Sequence, residues 1–450
     1  MFINREEEIK TIEEALKKNK PALILIYGRR RVGKSELLKH ITKKKKAIYT
    51  VARKESQTNQ LKKISSELSQ HYKDSVLKEN PFRNYDALIK YLENKKETIM
   101  LDEFPYLVES QPSLPSILQE HWDKTLSQKN TKIILCGSSI TMMETLAGYK
   151  SPLYGRRTQQ ILLEPLKFLD ACKFFKNKTK EEKITIYSIL GGTPAYLLEF
   201  DTNKTIEKNI EEKILRKNTF LNQDVQFVLQ EELKEPRLYY SITKSIAKGN
   251  TKLGNIINDT GIEKASITKY LSVLKDLQII KRTTPLTENP LKSRKGIYKI
   301  KDNYFKFWFK YVFENNAYIE QNLTKELLEN EIKPNLNQHV SETFEEISQE
   351  LIKQKHPGYL LGKWWEHNEE IDIIGINKAK QKILACETKW KTITKQEAKK
   401  IMEKLQEKSK KIKHNMKETT HIVLAKEIKG KNTLNHEKNQ KYYDLNDYNF

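Results

Sequence analysis

Gly28-Arg29-Arg30-Arg31-Val32-Gly33-Lys34-Ser35 fits the pattern GxxxxGK[ST], and its setting decides the fold. The apolar run Ala22–Tyr27 precedes it, and a helical pattern over residues 34–42 follows. In that context the glycines let the backbone curl so that N–H groups face phosphate oxygens, and the helix N-terminus adds a favourable dipole. Lys34 is placed to reach the β- and γ-phosphates and Ser35 to ligate Mg²⁺. Gly28, Arg29, Arg30, Arg31, Val32, Gly33, Lys34, Ser35 and the following Glu36 therefore form the candidate binding set for a nucleoside triphosphate, with ATP and Mg²⁺ as the expected cofactors.

Working outward, short apolar runs recur at residues 47–51, 98–101, 132–136 and 160–163, with helical segments such as residues 61–72 between most of them. That alternation predicts a parallel sheet flanked by helices over residues 1–165. The run at 98–101 ends in Asp102-Glu103. Four largely apolar residues suit a buried central strand, and two acids at its C-terminal end are costly to bury without cations or hydrogen bonds. Asp102 is expected to hold Mg²⁺ and Glu103 to act as general base on the attacking water. By itself this would be an ordinary acidic loop start; beside the phosphate loop it becomes the second half of the site.

The next strand ends in Gly137-Ser138-Ser139. Ser138 is read either as a γ-phosphate or water contact or, with Ser139, as a helix N-cap. Further on, Ser151-Pro152-Leu153-Tyr154-Gly155-Arg156-Arg157 supplies an arginine for transition-state charge, Arg156 or Arg157. Beyond Pro165 the pattern turns helical and is broken at Gly191-Gly192-Thr193-Pro194.

Taken in order, Arg5-Glu6, GRRRVGKSE, the apolar run ending in DE, the strand ending in GSS, PLYGRR and LGGTPAYL resemble the archaeal-type ATPase family, a branch of the AAA+/STAND P-loop ATPases. The resemblance spans the whole chain. It implies adenine recognition by the N-terminal Arg5-Glu6 box and the region of Pro194, and a γ-phosphate-sensing role near Ser138 and Arg156.

Residues 253–260, Gly261 and residues 265–277 read as helix, turn, helix, and the β-like runs 279–283 and 296–300 would form a wing. Lys264, Thr268, Lys269 and Lys275 on the second helix, and Lys281, Arg282, Lys292, Arg294 and Lys295 on the wing, suit phosphate contacts. The same winged helix also serves as a regulatory or protein-binding module. The aromatic run Tyr304–Phe313 is too apolar for a free surface and reads as core rather than a base-stacking platform. A linker is expected near residues 315–332.

The last unit opens with a helix at 338–354, followed by strand-like runs at 371–376 and 383–390, a helix at 395–415 and a strand at 420–425. Asp372 sits on the first run, and Glu387 and Lys389 on the second. Residues two apart on a strand share a face, so Glu387 and Lys389 point the same way. Hairpin-like pairing of the two runs brings Asp372 beside Glu387. Two carboxylates then bind a divalent cation, Mg²⁺ or Mn²⁺, and Lys389 stabilises phosphoryl charge or positions water. Glu345, or alternatively Glu346, completes the set. The pattern E…GKWW…EID…ETKW resembles the PD-(D/E)xK nuclease fold, with Ile371 where the family's proline stands. A merely structural domain is the other reading; the Trp364-Trp365 pair is assigned to its core.

Bulk properties agree. The chain has 450 residues and a formal charge of +23, from 82 Lys plus Arg against 59 Asp plus Glu. That balance favours a polyanionic partner such as DNA, although a Lys-rich proteome produces the same surplus. Cys136, Cys172 and Cys386 form no CxxC pair, so neither a zinc site nor a disulfide framework is expected. The lysine runs at 43–46 and within 407–417 read as solvated helix surface. No apolar run approaches a membrane span, and the expected location is the cytoplasm. The expected architecture is an α/β protein: a P-loop AAA+-type parallel sheet over residues 1–165, a helical lid over 166–235, a winged helix over 236–314, and an α/β restriction-endonuclease-like domain over 332–450. Expected partners are DNA and, through the ATPase domain, a second copy of the chain, but no membrane.

Overall fold

The computed structural model describes residues 2–233, 235–412, 417–434 and 439–450. They fall into two compact units, Met1–Pro165 and Leu166–Phe450. The three cysteines are free and buried. No helix among the described residues is long and apolar enough to cross a membrane.

In the first unit the strands are β1 (Ala22–Tyr27), β2 (Ala47–Val51), β3 (Thr98–Asp102), β4 (Lys132–Gly137) and β5 (Gln159–Leu162). They pair in parallel in the order β2-β3-β4-β1-β5. All six residues of β1 are buried, as the continuous run ALILIY requires of a strand covered on both faces. Ile24 and Ile26 share a core with Val32 of the phosphate loop, with Leu37, Leu38 and Ile41 of the helix Lys34–Lys44, and with Met100 and Ile134. The phosphate loop is thus anchored at both ends by burial. Its backbone is anchored by close approach: a Cβ on Gly28 would lie 2.3 Å from the carbonyl oxygen of Leu163. Gly33, at φ 98°, caps the helix that follows.

The second unit carries a five-stranded sheet, order β12-β11-β10-β9-β8. Its strands are β8 (Leu360–Glu366), β9 (Glu369–Asn377), β10 (Lys382–Thr394), β11 (Glu418–Lys429) and β12 (Gln440–Tyr443). β9 runs antiparallel to its neighbours β8 and β10, whereas β11 and β12 are parallel to β10. The helix Lys333–Lys355 packs Phe344, Ile347 and Leu351 against Ile373, Leu384 and Ile422. The helix Lys395–Ser409 packs Ala398 and Met402 against Val423 and Ala425. Phe168, Cys172 and Ile184, from the segment read as a helical lid, belong to the same core as the first of these packings.

Earlier in the chain of the second unit come the helix Leu253–Thr260, Gly261, the helix Lys264–Asp276, and an antiparallel ribbon of β6 (Ile280–Thr283) and β7 (Ile297–Ile300). Tyr304, Phe305, Phe307, Trp308, Phe309 and Tyr311 are buried, so this aromatic run is core. Trp364 is buried and Trp365 half-buried.

Three sequence expectations change. The stretch read as a linker is helical: Asn316–Glu320, Thr324–Leu327 and a π-helical turn at Leu328–Ile332 lead directly into Lys333–Lys355. Ile319, Leu327, Leu328 and Ile332 are buried there, an apolar stripe diluted by the charged residues between. Strands β8 and β12 were not anticipated. β8 is an edge strand whose residues are mostly half-exposed, which blurs the alternation, and β12 has four residues. The helix expected over 395–415 ends at Ser409, and residues 413–416 of it, part of the Lys-rich 407–417 stretch, lie outside the described residues.

Candidate phosphate site and carboxylate cluster

Lys34 is buried, and its ammonium donates to the carbonyls of Gly28 (2.8 Å) and Arg29 (2.9 Å). It therefore bridges its own loop at the place where phosphate oxygens are expected. Burial pushes its pKa down, against the pull of Glu103 and Asp102. An anion held beside it would restore the balance.

Ser35 Oγ donates to Asp102 Oδ2 at 2.8 Å, and Tyr49 Oη donates to the same oxygen at 2.8 Å. The backbone N–H of Glu103 donates to Asp102 Oδ1 (3.0 Å), so a carboxylate only 1% exposed is held by three donors. Desolvation and the neighbouring Asp102 charge raise the Tyr49 phenol, which keeps it a donor. Glu103 itself lies at φ 54°, in the left-handed region that non-glycine residues rarely occupy. That backbone turns its carboxylate to Ser138, whose N–H (3.1 Å) and Oγ (2.5 Å) both donate to it. The two serine readings separate: Ser139 caps the helix Ile140–Ala147, and Ser138 grips Glu103.

Arg156 does not reach this constellation. Its guanidinium bonds Asp123 at 2.6 and 2.8 Å and the carbonyls of Pro152 and Tyr154. Arg157 donates to the carbonyl of Ala147 and stacks over Tyr154. Glu36 is exposed and paired with Lys39 at 2.8 Å rather than turned to the loop. Arg30 donates to Tyr106 Oη at 2.6 Å. Pro194 belongs to the second unit, where it opens the helix Pro194–Leu197. Arg5 is buried and donates to the carbonyls of Val32 (3.0 Å) and Glu164 (2.7 Å), tying the chain start to the phosphate loop. Sequence reading assigned that residue to nucleotide recognition by resemblance alone and passed over Tyr49, for which a single tyrosine on an edge strand offers no signal.

In the second unit the antiparallel register of β9 and β10 ends at Ile373↔Cys386, and Asp372 and Glu387 are the next residues on the two strands. Asp372, 7% exposed, accepts from Thr388 N (2.8 Å) and Thr388 Oγ1 (3.1 Å). Lys389 donates to Glu387 at 3.0 Å, and Lys408 lies 3.5 Å from the same oxygen. Glu345 is paired with Lys363, whereas Glu346 is paired with Lys281 of β6 at 2.7 Å. Burial lifts the Glu345 carboxyl, and the charge of Asp372 adds to the rise against the pull of Lys363. Burial opposes the charge on Lys389, yet Glu387 and Asp372 lift its pKa overall. Glu345, Asp372, Glu387 and Lys389 thus share one electrostatic neighbourhood. The expected three-carboxylate metal set differs from what is found: among the described residues no three His, Cys, Asp or Glu side chains group closely enough to hold a metal. Lys363, Lys389 and Lys408 take up the carboxylates instead. On the ribbon, Lys281 and Lys295 are paired with Glu346, Glu288 and Glu366, and Arg282 with the carbonyls of Pro290 and Ser293.

Residues 2–200 match the family model described as "ATPase domain predominantly from Archaea". An uncharacterized protein of Methanocaldococcus jannaschii, MJECL04, is 36% identical over 444 residues, covering 96% of this chain and 97% of the relative. The chain belongs to the archaeal ATPase family.

A second relative of that organism, the uncharacterized ATP-binding protein MJ0423, is 50% identical over 46 residues, which is 10% of this chain and 78% of that protein. Residues 308–401 of this archaeal ATPase match a model described as "Archaea bacterial proteins of unknown function". The Walker-type ATPase PABY2304 of Pyrococcus abyssi superposes with a TM-score of 0.52, covering 68% of this chain and 96% of that one at 22% identity. Such a likeness concerns the fold, here the P-loop parallel sheet. The chain is accordingly a P-loop ATPase by family and fold.

Proposed function

We propose that this archaeal ATPase is a Mg²⁺-dependent switch whose nucleotide cycle governs metal-dependent cleavage of DNA by its C-terminal unit. The observation that carries the ATPase half is the 2.8 Å contact of Ser35 with Asp102, with Glu103 held one residue on by Ser138. Hydroxyl and carboxylate oxygens at that separation suit a small, hard cation, so Ser35 and Asp102 would hold Mg²⁺, which when bound would neutralise phosphate charge. Lys34 would bind the β- and γ-phosphates by exchanging its two carbonyl partners for phosphate oxygens. Glu103 would take the proton of the attacking water, with Ser138 fixing which oxygen faces it. Arg156 would contribute only after release from Asp123.

The C-terminal half is supported by Asp372 and Glu387 on neighbouring strands, with Lys389 donating to Glu387. Asp372 and Glu387 would offer two carboxylates for Mg²⁺ or Mn²⁺, which when bound would activate water and stabilise phosphoryl charge, Glu345 being paired with Lys363. Lys389 would orient the water or the scissile phosphate. The helix–turn–helix and its ribbon supply the winged helix of this reading, with Lys264, Lys269 and Lys275 exposed for phosphate contacts.

Purified protein incubated with DNA, with and without ATP and Mn²⁺, tests both halves together. Cleavage that is absent in Asp372→Ala protein is expected; cleavage that survives that substitution unchanged rejects the assignment. A second reading, a switch that binds DNA or protein without cutting, is favoured by the ion pair of Glu345 with Lys363. It predicts no Mn²⁺ binding that depends on Asp372 and Glu387.

A further inference from the structure

A groove of about 580 Å³ in the second unit carries Lys363, the ion-pair partner of Glu345, in its lining. Its floor is one face of the helix Lys333–Lys355, its walls the ribbon β6–β7 and the edge strand β8. Lys281, Lys299, Lys353 and Lys363 line it, with Lys167 at its side, against the two acids Glu346 and Glu350. The lining is therefore cationic even with every acid ionised. Among the described residues, Lys299 and Lys353 have no carboxylate within ion-pair reach. Burial pushes the Lys299 pKa down, and the charge of Lys363 pushes the same way. A group in that state gains by meeting an anion.

A second cavity, of about 360 Å³, continues the first: both are lined by Lys299, Glu346 and Lys363, and the second also by Glu345. The two cavities together therefore reach from open surface to Glu345 of the carboxylate cluster. Tyr359 adds an aromatic ring to its wall. Lysines tracking a backbone together with a ring for base stacking is the combination that binds single strands without reading sequence.

We infer that this groove binds a single strand of nucleic acid and feeds its backbone to the carboxylate cluster. The inference rests on the nuclease-like reading above and names its substrate class. The lysines and the Tyr359 ring suit an extended strand with splayed bases, whose stacking faces a duplex keeps buried. Lys299 and Lys353 bind phosphates along the path, and Lys363 stands where the groove meets Glu345, its ion pair with that residue exchanged for a phosphate as the strand arrives. An acidic polypeptide would satisfy the charge but not the route to the carboxylates.

Fluorescence anisotropy of the full chain in EDTA tests this, with labelled oligothymidylate and with the blunt duplex it forms with oligodeoxyadenylate. The strand is expected to bind about tenfold more tightly than the duplex, with affinity falling steeply as salt rises. Lys353→Glu and Lys299→Glu are each expected to weaken strand binding about tenfold while ATP hydrolysis is unchanged. Lys353 is exposed, so its variant folds and decides the matter alone if Lys299→Glu does not. Equal binding of strand and duplex, an unaffected Lys353→Glu protein, or competition by polyglutamate as effective as by unlabelled strand overturns the inference. Asp372→Ala separates the two readings: retained strand binding without Mn²⁺-dependent cleavage in the parent protein rejects the nuclease and keeps the groove. Cleavage by the parent with strand binding untouched in Lys353→Glu does the reverse.

Discussion

Ser138 donates both its backbone N–H and its hydroxyl to the carboxylate of Glu103, at 3.1 and 2.5 Å. The pair joins the ends of two neighbouring parallel strands, β3 and β4. It explains how a residue in left-handed backbone geometry keeps one orientation.

Glu103→Gln is expected to bind ATP with near-normal affinity and to hydrolyse it about 10²- to 10⁴-fold more slowly, the range for losing a positioned general base. Ser138→Ala should lower kcat by less and leave the nucleotide dissociation constant unchanged. Single-turnover hydrolysis and equilibrium binding measured side by side check both, and a Glu103→Gln protein of normal rate refutes the role.

Lys34→Ala removes the one buried ammonium that the described phosphate loop shows bridging Gly28 and Arg29. Nucleotide affinity should fall, and the rise in melting temperature that ATP gives the parent should vanish, since a ligand stabilises only what binds it.

Arg5→Ala removes donors to the carbonyls of Val32 and Glu164. Hydrogen bonds to charged groups contribute roughly 1.5–3 kcal/mol, so the first unit should melt earlier. ATP binding should weaken with it, because Val32 lies inside the phosphate loop. If adenine recognition were the role of Arg5, affinity for ATP would fall but the melting temperature without nucleotide would not.

His339 gives the second unit a pH dependence. It is fully buried, donates from Nε2–H to the Ser188 carbonyl (2.8 Å), and burial lowers its pKa to about 3. Its unfolded value is near 6.5, so as pH falls through that value the unfolded chain takes up a proton that the folded one refuses. Stability contributed by the neutral ring is present above about pH 6.5 and is lost downward to about pH 3, by at most ~1.4 kcal/mol per pH unit. Urea unfolding between pH 7 and 5 should show this slope, and His339→Gln should flatten it.

Much of the nucleotide site was legible. The phosphate loop, Asp102 and Glu103 are each announced by a motif at the end of an apolar run; β1 ends where its run ends, and β3 continues one residue further to include Asp102. Local pattern suffices there because the loop, the strand before it and the helix after it are contiguous in the chain. Arg156 was legible as an arginine and not as an ion pair, because Asp123 stands 33 residues away. The linker near 315–332 misled because its buried leucines and isoleucines are spaced on a helix that leaves most of its surface charged.

The sequence by itself determined that this chain has a phosphate loop at Gly28–Ser35 between strand and helix, an acidic pair at a strand end, and an Asp-Glu-Lys set on two later runs. Those are statements about neighbours along the chain, where side-chain type and spacing carry the physics. The tertiary structure decided which groups meet across it. Ser35 finds Asp102, Ser138 finds Glu103, Asp372 finds Thr388, and Lys363 finds Glu345. Such pairings follow from strand order and register, which packing of the whole unit selects and no local window contains.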